Sequence, residues 1–321
     1  MGRDLRHIPQ DLLASSGPLG PLIEVTTRTM QGRLLLRPSP ALREIIIGIL
    51  ARSARMYEVS VVGFVYLSNH FHLLLRTRDV RELSAFMCFV NGNVAREAAR
   101  LHGWPEKFWS RRFTAILISN EEDKQLEKLR YLFAQGSKEG LVQHPEEWPG
   151  ASSVQAQMRA EGLSGVWFDR TAEGDARRCG RKPSKYEFAS RETLRLSPPP
   201  VWDGIEPKEA CRRVCEMVCE VVAETSAALR ERGDRPLGVQ RILRQHPHSR
   251  PIALKRSPAP RFHASSWDVR KRLEEAYKAF LVAYRQAAAQ LRSGDLGAEF
   301  PAQCFPPALP SIRGPTLISA S

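Results

Sequence analysis

Two strand-like stretches that follow each other almost without a connection constrain the fold of this chain most. Residues 58–68, EVSVVGFVYLS, and residues 70–77, HFHLLLRT, are rich in β-branched, aromatic and other apolar residues. Such a composition is typical of strands. Because Ser68 and Asn69 favour turns, we expect the two segments to pair as an antiparallel hairpin.

Strand-like and helix-like segments alternate around this hairpin. Residues 19–30 precede it and residues 113–119 follow it, and both have strand-like composition. Residues 39–57 and 80–103 carry apolar positions at helical spacing, and Gly103 is a suitable end for the second helix. The order β-α-β-β-α-β is that of a ferredoxin-like domain, so we predict an α+β fold class.

One more helix follows the fourth strand. We predict a helix over residues 119–136, with a capping box between Ser119 and Glu122 at its start and Gly136 at its end. This helix is an addition to the ferredoxin-like order. We expect the first domain to span residues 1–158.

The composition changes after this domain. Residues 159–203 are polar, basic and rich in proline, which predicts a linker or an extended arm. Residues 204–295 are expected to form a mainly helical C-terminal domain, and residues 296–321 a tail without regular structure. Three segments of the C-terminal domain have helical periodicity: 206–232, 236–245 and 265–293.

The charge of the chain favours a polyanionic partner. Its 321 residues carry a formal net charge of +13, which is typical of proteins that bind nucleic acid. Apolar runs do not approach the ~20 residues of a membrane-spanning helix, and the first 20 residues lack the apolar core of a secretory signal. We therefore expect a cytoplasmic protein that does not interact with membranes.

His70 and His72 lie on one face of the second hairpin strand, because alternate residues of a strand point the same way. Phe71 and Leu73 are expected to face the other side. Two imidazoles are an incomplete ligand set for a metal, and a pair of hydrogen-bonded core histidines is the alternative. A metal site requires a third ligand.

The helix after the fourth strand offers such a ligand and a reactive group. Leu126, Leu129 and Phe133 form its buried stripe. Tyr131 lies about 200° around the helix from Leu129 and therefore points away from that stripe. Gln135 lies one turn further along the face of Tyr131. The alternative is an ordinary exposed tyrosine near a helix end.

The cysteines favour packing over metal binding. Three of the six, Cys211, Cys215 and Cys219, recur every four residues and share one helical stripe. This spacing differs from that of zinc sites, and cysteine packs well as a small apolar residue. A metal cluster at these positions is the less favoured alternative.

The segments that carry these residues resemble a known family. YLSNHFHLLLR matches the histidine-hydrophobic-histidine (HUH) motif of single-tyrosine transposases, and residues 108–153 resemble the tyrosine block of the REP-associated tyrosine transposases. The likeness covers roughly residues 20–155. It departs from the family at QGSKEGLV, where relatives have a proline in place of Gly136, which is expected to loosen the helix end.

The resemblance implies roles for individual residues. The metal-binding histidines of the family fall on His70 and His72, its nucleophile on Tyr131, and its third metal ligand, an amide one helical turn later, on Gln135. The cofactor would be Mg²⁺ or Mn²⁺. The DNA strand would be held as a 5′-phosphotyrosine ester and later rejoined.

The resemblance also implies a partner, namely single-stranded DNA that contains hairpin repeats, and hence a nucleoid-associated protein. The chain is expected to act as a monomer or a homodimer. A catalytically inactive, domesticated copy that binds single-stranded nucleic acid is the alternative function. An HUH replication initiator or relaxase is a third possibility, less favoured because the tyrosine block matches the transposases.

Basic and aromatic residues near these motifs are candidates for DNA contacts. Trp104, Phe108 and Trp109 are suited either to stacking on unpaired bases or to packing in the core. A basic run at 238–256 is explained equally well by DNA binding and by a solvated surface. The candidates for phosphate contacts are Arg76, Arg78, Arg111, Arg112, Lys124 and Lys128.

Overall fold

The structure is a computed structural model that describes residues 7–251 and 260–307. The strands in these two ranges are β1 Leu22–Arg28, β2 Ser60–Tyr66, β3 His70–Arg76, β4 Thr114–Ile118, β5 Leu163–Phe168, β6 Ala189–Leu194 and β7 Phe262–His263. The α-helices are α1 Gln10–Ser15, α2 Pro40–Met56, α3 Val80–His102, α4 Glu122–Phe133, α5 Val154–Arg159, α6 Arg170–Arg178, α7 Pro207–Glu231, α8 Val239–Arg244 and α9 Trp267–Arg292.

The central sheet contains five strands in the order β2-β3-β1-β4-β7. The first four pair antiparallel, and β7 pairs parallel with β4. The predicted hairpin of β2 and β3 is confirmed, with Tyr66 opposite Phe71 in the register and the amide of Leu67 donating to the carbonyl of His70 at 2.8 Å. From β1 to β4 the element order is the predicted β-α-β-β-α-β, and the fold is α+β.

The two faces of the sheet are covered by different helices. Phe71, Leu73 and Leu75 of β3 belong to the larger hydrophobic core, which also contains apolar residues of α2 and α3. Leu74 belongs to a second core that contains residues of α4 and α7. Because side chains alternate along a strand, His70 and His72 lie on the same face as Leu74. The histidine pair therefore faces the layer of α4.

Three predicted helix ends can be compared with the structure. Ser39 caps α2, since its hydroxyl accepts a hydrogen bond from the amide of Leu42, and Gly103 ends α3 in the left-handed region with φ 61°. The predicted capping box at Ser119 is wrong. Ser119 still belongs to the sheet edge, where its amide donates to the carbonyl of His263, so α4 starts later.

The range predicted to be a linker contains regular structure. β5 and β6 pair antiparallel as a separate ribbon, with α6 between them, and this ribbon packs against α2. The approach is close: a Cβ added to Gly48 of α2 would lie 2.3 Å from the backbone of Val166. Local composition did not predict this ribbon, because its partner surface lies more than a hundred residues away in the chain.

The three predicted C-terminal helices correspond to α7, α8 and α9. Cys211 and Cys215 of α7 pack against α5, where the thiol of Cys211 lies 2.6 Å from the carbonyl oxygen of Met158. Residues 296–307 contain no helix or strand, whereas the rest of the predicted tail and residues 252–256 of the basic run lie outside the described ranges. No helix in the described part of the chain is long and apolar enough to cross a membrane.

Candidate active site

The histidine pair lies beside the central strand of the sheet. In the pairing of β1 with β3, Arg28 is opposite His70 and Thr26 is opposite His72. The centroids of the two imidazole rings are 5.3 Å apart, with an angle of 77° between the ring planes. The two side chains project together from one face of β3, as the sequence predicted.

Each imidazole is held through its Nδ1 atom. His70 Nδ1 lies 2.6 Å from Asn69 Oδ1, and His72 Nδ1 lies 3.1 Å from Glu24 Oε1. Because these oxygens are acceptors, Nδ1 carries the proton in each neutral ring, and Nε2 keeps its lone pair. Metal-binding histidines are commonly held in this way by a partner of the second nitrogen.

His70 is neutral at physiological pH. Burial, followed by the charges of His72, Arg28 and Lys138, lowers the pKa of His70 to about 3. Neutral imidazole is the form that binds metal ions. The protonation state of His70 therefore matches the role predicted for it.

Tyr131 lies at the edge of the histidine pair. Leu129, Leu132 and Phe133 bury one side of α4 against the sheet, and this leaves Tyr131 40% exposed on another side. The ring of Tyr131 meets the ring of His72 edge-on, with the two centroids 5.5 Å apart. The predicted orientation of Tyr131 is confirmed, and it brings a phenol next to the imidazoles.

Gln135 lies two residues beyond the end of α4 at Phe133, and it is buried, whereas Tyr131 is 40% exposed. Its Nε2 donates to the carbonyl of Tyr131 at 3.0 Å, so the amide oxygen is the atom that remains as a potential metal ligand. Gly136 follows with φ 88°, a value that the ring of proline excludes. Glycine at this position therefore permits a left-handed turn directly after Gln135, where a proline would impose a different backbone.

The donor set suits a divalent cation of intermediate hardness. Two imidazole nitrogens and an amide oxygen are compatible with Mn²⁺ and, less readily, with Mg²⁺. Within the described ranges, no group of three or more His, Cys, Asp or Glu side chains is arranged to hold a metal ion. The third donor predicted from the sequence, the amide of Gln135, is of a residue type outside that set.

Glu24 lies behind His72 and was not identified from the sequence. It is 5% exposed, and its second carboxylate oxygen lies 3.0 Å from His263 Nε2 and 3.5 Å from Lys128 Nζ. Burial raises the pKa of Glu24, but the hydrogen bonds from His263 and His72 and the charge of Lys128 outweigh it and hold the pKa well below its usual range. A single acidic residue in the apolar stretch LIEVTT was the available signal.

Arg76 does not belong to the surface around the site, contrary to the prediction. It is fully buried, and its guanidinium makes a two-pronged contact with Asp203, at 2.6 and 2.7 Å. The same guanidinium donates to the carbonyls of Gly20, Ser16 and Pro198. Because these partners occupy the guanidinium, Arg76 supports the fold and is closed to a phosphate.

The other predicted basic residues are spread over the surface. Arg78 follows the end of β3 that is remote from His70, and it donates to the carbonyls of Leu13 and Gly17. Lys124 forms an ion pair with Glu127 on α4. Arg112 is exposed.

Four basic residues do surround the histidines and Tyr131. Lys128 lies 5.3 Å and Lys138 3.4 Å from the centroid of the Tyr131 ring, measured from the ammonium nitrogens. Arg28 is the register partner of His70, and burial and the nearby charge of Arg111 lower the pKa of Arg28. Arg28 and Lys138 were not predicted from the sequence. We call these four residues the basic rim; Arg28 and Arg111 lie on one side of it, and Lys128 and Lys138 lie on the other.

The three candidate aromatic residues are packed in the fold. Phe108 is buried, and Trp109 packs edge-on against Phe71 while its indole nitrogen donates to the carbonyl of Asn91. Trp104 contacts the ring of His248 and is half-buried. Of the two interpretations open from the sequence, core packing describes Phe108 and Trp109.

Comparisons with known proteins give weak similarities. No protein-family model and no curated protein match the chain. A solved structure of a REP-associated tyrosine transposase bound to a REP hairpin aligns with a TM-score of 0.37 and 16% identity, over 49% of this chain and 85% of that one. A protein of Deinococcus radiodurans provisionally named a transposase aligns with a TM-score of 0.27 and 16% identity, over 35% of this chain and 91% of that one.

Proposed function

We propose that this chain is a metal-dependent transposase that cleaves and rejoins single-stranded, hairpin-containing DNA through a 5′-phosphotyrosine intermediate. The observation that carries the proposal is the position of Tyr131, whose ring centroid lies 5.5 Å from that of His72. A potential nucleophile on α4 and two oriented imidazoles on β3 thus share one site. Sequence resemblance and geometry support the same residues.

The proposed domain is ferredoxin-like, with α4 as the added helix that carries the nucleophile. The antiparallel order β2-β3-β1-β4 and the packing of α2 and α3 on one face support this assignment. The opposite face remains available for α4 and the histidine pair. The added helix α4 would therefore bring the nucleophile to the sheet face that carries the histidine pair.

His70, His72 and Gln135 would hold the Mg²⁺ or Mn²⁺ ion. When bound, such an ion neutralises charge on the scissile phosphate and helps to orient it. The imidazoles can serve because their Nδ1 atoms already have acceptors, which directs Nε2 to the ligand role.

The chain's own residues would carry out the covalent step. The phenol oxygen of Tyr131 attacks the phosphorus atom and loses its proton, and a bond forms between that oxygen and phosphorus. The bond from phosphorus to the 3′ oxygen of the preceding nucleotide breaks, and this oxygen leaves as a 3′-hydroxyl after taking up a proton. Rejoining is the reverse reaction with a 3′-hydroxyl as the nucleophile.

The basic rim would bring the phosphate backbone to Tyr131 through Lys138, Arg28 and Arg111, because Lys128 is buried and paired with Glu24. Lysine and arginine contacts to phosphate supply affinity and position without reading the base sequence. Lys128 and Lys138 lie nearest to the phenol ring, whereas Arg28 and Arg111 lie on the side of His70. The rim therefore borders the site on two sides.

The test is the formation of a covalent adduct. The protein is incubated with Mn²⁺ and a hairpin-tailed single strand labelled at either its 3′ or its 5′ end, and then denatured. We expect a denaturant-resistant adduct with the 3′-labelled strand and a free fragment with the 5′-labelled strand, because the tyrosine would keep the 5′ phosphate. Tyr131→Phe is expected to abolish the adduct, whereas Tyr186→Phe, a change at an exposed tyrosine elsewhere, is expected to preserve it.

Each other outcome has a defined meaning. An adduct that survives in Tyr131→Phe would assign the nucleophile to another residue. Absence of an adduct with any divalent cation would reject the proposed transposase activity. If the protein then still binds the single strand, the catalytically inactive binding protein is the better description.

A further inference from the structure

Glu24 connects the histidine pair with the C-terminal part of the chain. One carboxylate oxygen lies 3.1 Å from His72 Nδ1, and the other lies 3.0 Å from His263 Nε2. Glu24 and His263 are 239 residues apart in sequence. The carboxylate therefore bridges a predicted metal ligand on β3 and a residue of β7.

β7 is held in place by the strand and the loop next to it. It pairs parallel with β4, with His263 opposite Ile118, and the carbonyl of His263 accepts from the amide of Ser119 at 2.9 Å. The carboxylate of Glu121 accepts from the amides of Ser265 and Ser266, both at 2.8 Å. His263 therefore approaches Glu24 from a fixed backbone.

Because Glu24 is buried, the donors to its carboxylate determine how the carboxylate is oriented. A buried carboxylate needs donors for its oxygens, and those of Glu24 come from three different elements: His72 from β3, Lys128 from α4 and His263 from β7. With its second oxygen held by His263 and Lys128, the first oxygen is directed at His72. The orientation of the His72 ring thus depends on residues that lie beyond its direct neighbour.

We propose that Glu24 is a positioning residue for His72 and that β7, through His263, forms part of the metal site. This inference rests on the proposed function, since it assigns His72 as a ligand. It adds that the C-terminal region completes the site and is not an independent module. Glu24 would hold the proton on His72 Nδ1 and the ring in one orientation, so that Nε2 is ready for the metal ion.

The experiment uses the full chain and two readouts that do not depend on catalysis. The tautomer of His72 is measured by nitrogen NMR of histidine-labelled, metal-free protein, with His72→Ala used for assignment. The affinity for Mn²⁺ is measured by calorimetric titration. Glu24→Leu removes both acceptors, whereas Glu24→Gln retains one acceptor and serves as the conservative variant.

Matched controls separate positioning from a general loss of structure. Glu192 is another buried carboxylate, paired with Arg52 and Arg55 on the ribbon side of the fold, so Glu192→Leu is the control for Glu24→Leu. His248 Nε2 lies 2.8 Å from the carbonyl oxygen of His102 at the end of α3, so His248→Phe is the control for His263→Phe. Unfolding by urea is recorded for these four variants and for Glu24→Gln.

We expect Glu24→Leu to mix the tautomers of His72 and to weaken Mn²⁺ binding by about 10- to 100-fold, the range found for partners of metal-binding histidines. Glu24→Gln should retain part of the affinity, and His263→Phe should weaken binding toward the low end of that range. The controls should change neither readout, even where they lower stability.

The outcomes distinguish this inference from the proposed function. If wild type binds Mn²⁺ through His72 and Glu24→Leu changes neither tautomer nor affinity, the positioning role is wrong. If only His263→Phe is without effect, β7 is not part of the site. If wild type does not bind Mn²⁺, the proposed metal function fails, and the tautomer in the metal-free variants still decides whether Glu24 orients His72.

Discussion

Lys138 lies over the ring of Tyr131, with its ammonium nitrogen 3.4 Å from the ring centroid. It follows the turn at Gly136 and forms a loose ion pair with its exposed neighbour Glu139, at 3.6 Å. The charge of Lys138 also acts on His70, where it contributes to the lowered pKa. One lysine is thus close both to the proposed nucleophile and to a proposed metal ligand.

Lys138→Gln is expected to weaken binding of single-stranded DNA and to reduce its dependence on salt. Removal of one phosphate partner should lower the slope of log K against log salt by about 0.7 for a single strand. Fluorescence anisotropy at several salt concentrations measures both quantities. The matched control is Lys185→Gln, since Lys185 lies 5.2 Å from the ring of Tyr186, outside the basic rim. An unchanged salt slope in Lys138→Gln would show that Lys138 does not bind phosphate.

Gln135→Leu is expected to lower the affinity for Mn²⁺ and to abolish adduct formation. It removes the third proposed donor and leaves only the two imidazoles. Gln135→Glu keeps an oxygen at the same position and should retain Mn²⁺ binding. Calorimetric titration with Mn²⁺ measures the first effect, and the denatured-gel assay measures the second. Full affinity in Gln135→Leu would show that the ion, if bound, is held without this amide.

The local parts of the site follow from sequence patterns. Alternation along residues 70–77 placed His70 and His72 on one face, and helical spacing placed Tyr131 away from the buried stripe; the structure agrees with both. These features depend on residues only a few positions apart. Periodicity is informative at this range because it reflects the geometry of a single strand or helix.

The errors concern contacts between distant segments. Arg76 was assigned to DNA because it is basic and close to the histidines in sequence, but its partner Asp203 lies 127 residues further along the chain. The pairing of Glu24 with His263 was missed for the same reason. Charge and spacing carry no information about which distant residue neutralises a buried group.

Arg76→Leu is expected to destabilise the fold, because it removes a buried cation that joins β3 to Asp203 and to three backbone carbonyls. Because Arg76 is fully buried whereas the side chain of Asp203 is 37% exposed, we expect a cost between the about 3–5 kcal/mol of breaking a fully buried pair and the about 1 kcal/mol or less of an exposed pair. Arg81→Leu, which removes the surface pair with Asp79, is the control. Urea unfolding measures the difference. Equal destabilisation by the two substitutions would contradict the structural role of Arg76.

Gly136→Ala is expected to lower the free energy of unfolding by about 1–2 kcal/mol, because an alanine in the left-handed region brings its Cβ too close to the backbone. The space around a Cβ at this position is not the obstacle, since its nearest neighbours would be 3.5 Å away. Gly136→Pro should cost more, as its ring excludes a φ of 88°.

Gly174→Ala in α6 is the opposite control: nothing lies within 4 Å of its Cβ, and alanine in a helix is expected to stabilise by about 0.5–1 kcal/mol. Because Gly136 follows Gln135, both substitutions at this turn should also weaken Mn²⁺ binding in the folded protein. If Gly136→Pro instead matches the stability and the Mn²⁺ affinity of wild type, the left-handed turn is not required to place the amide.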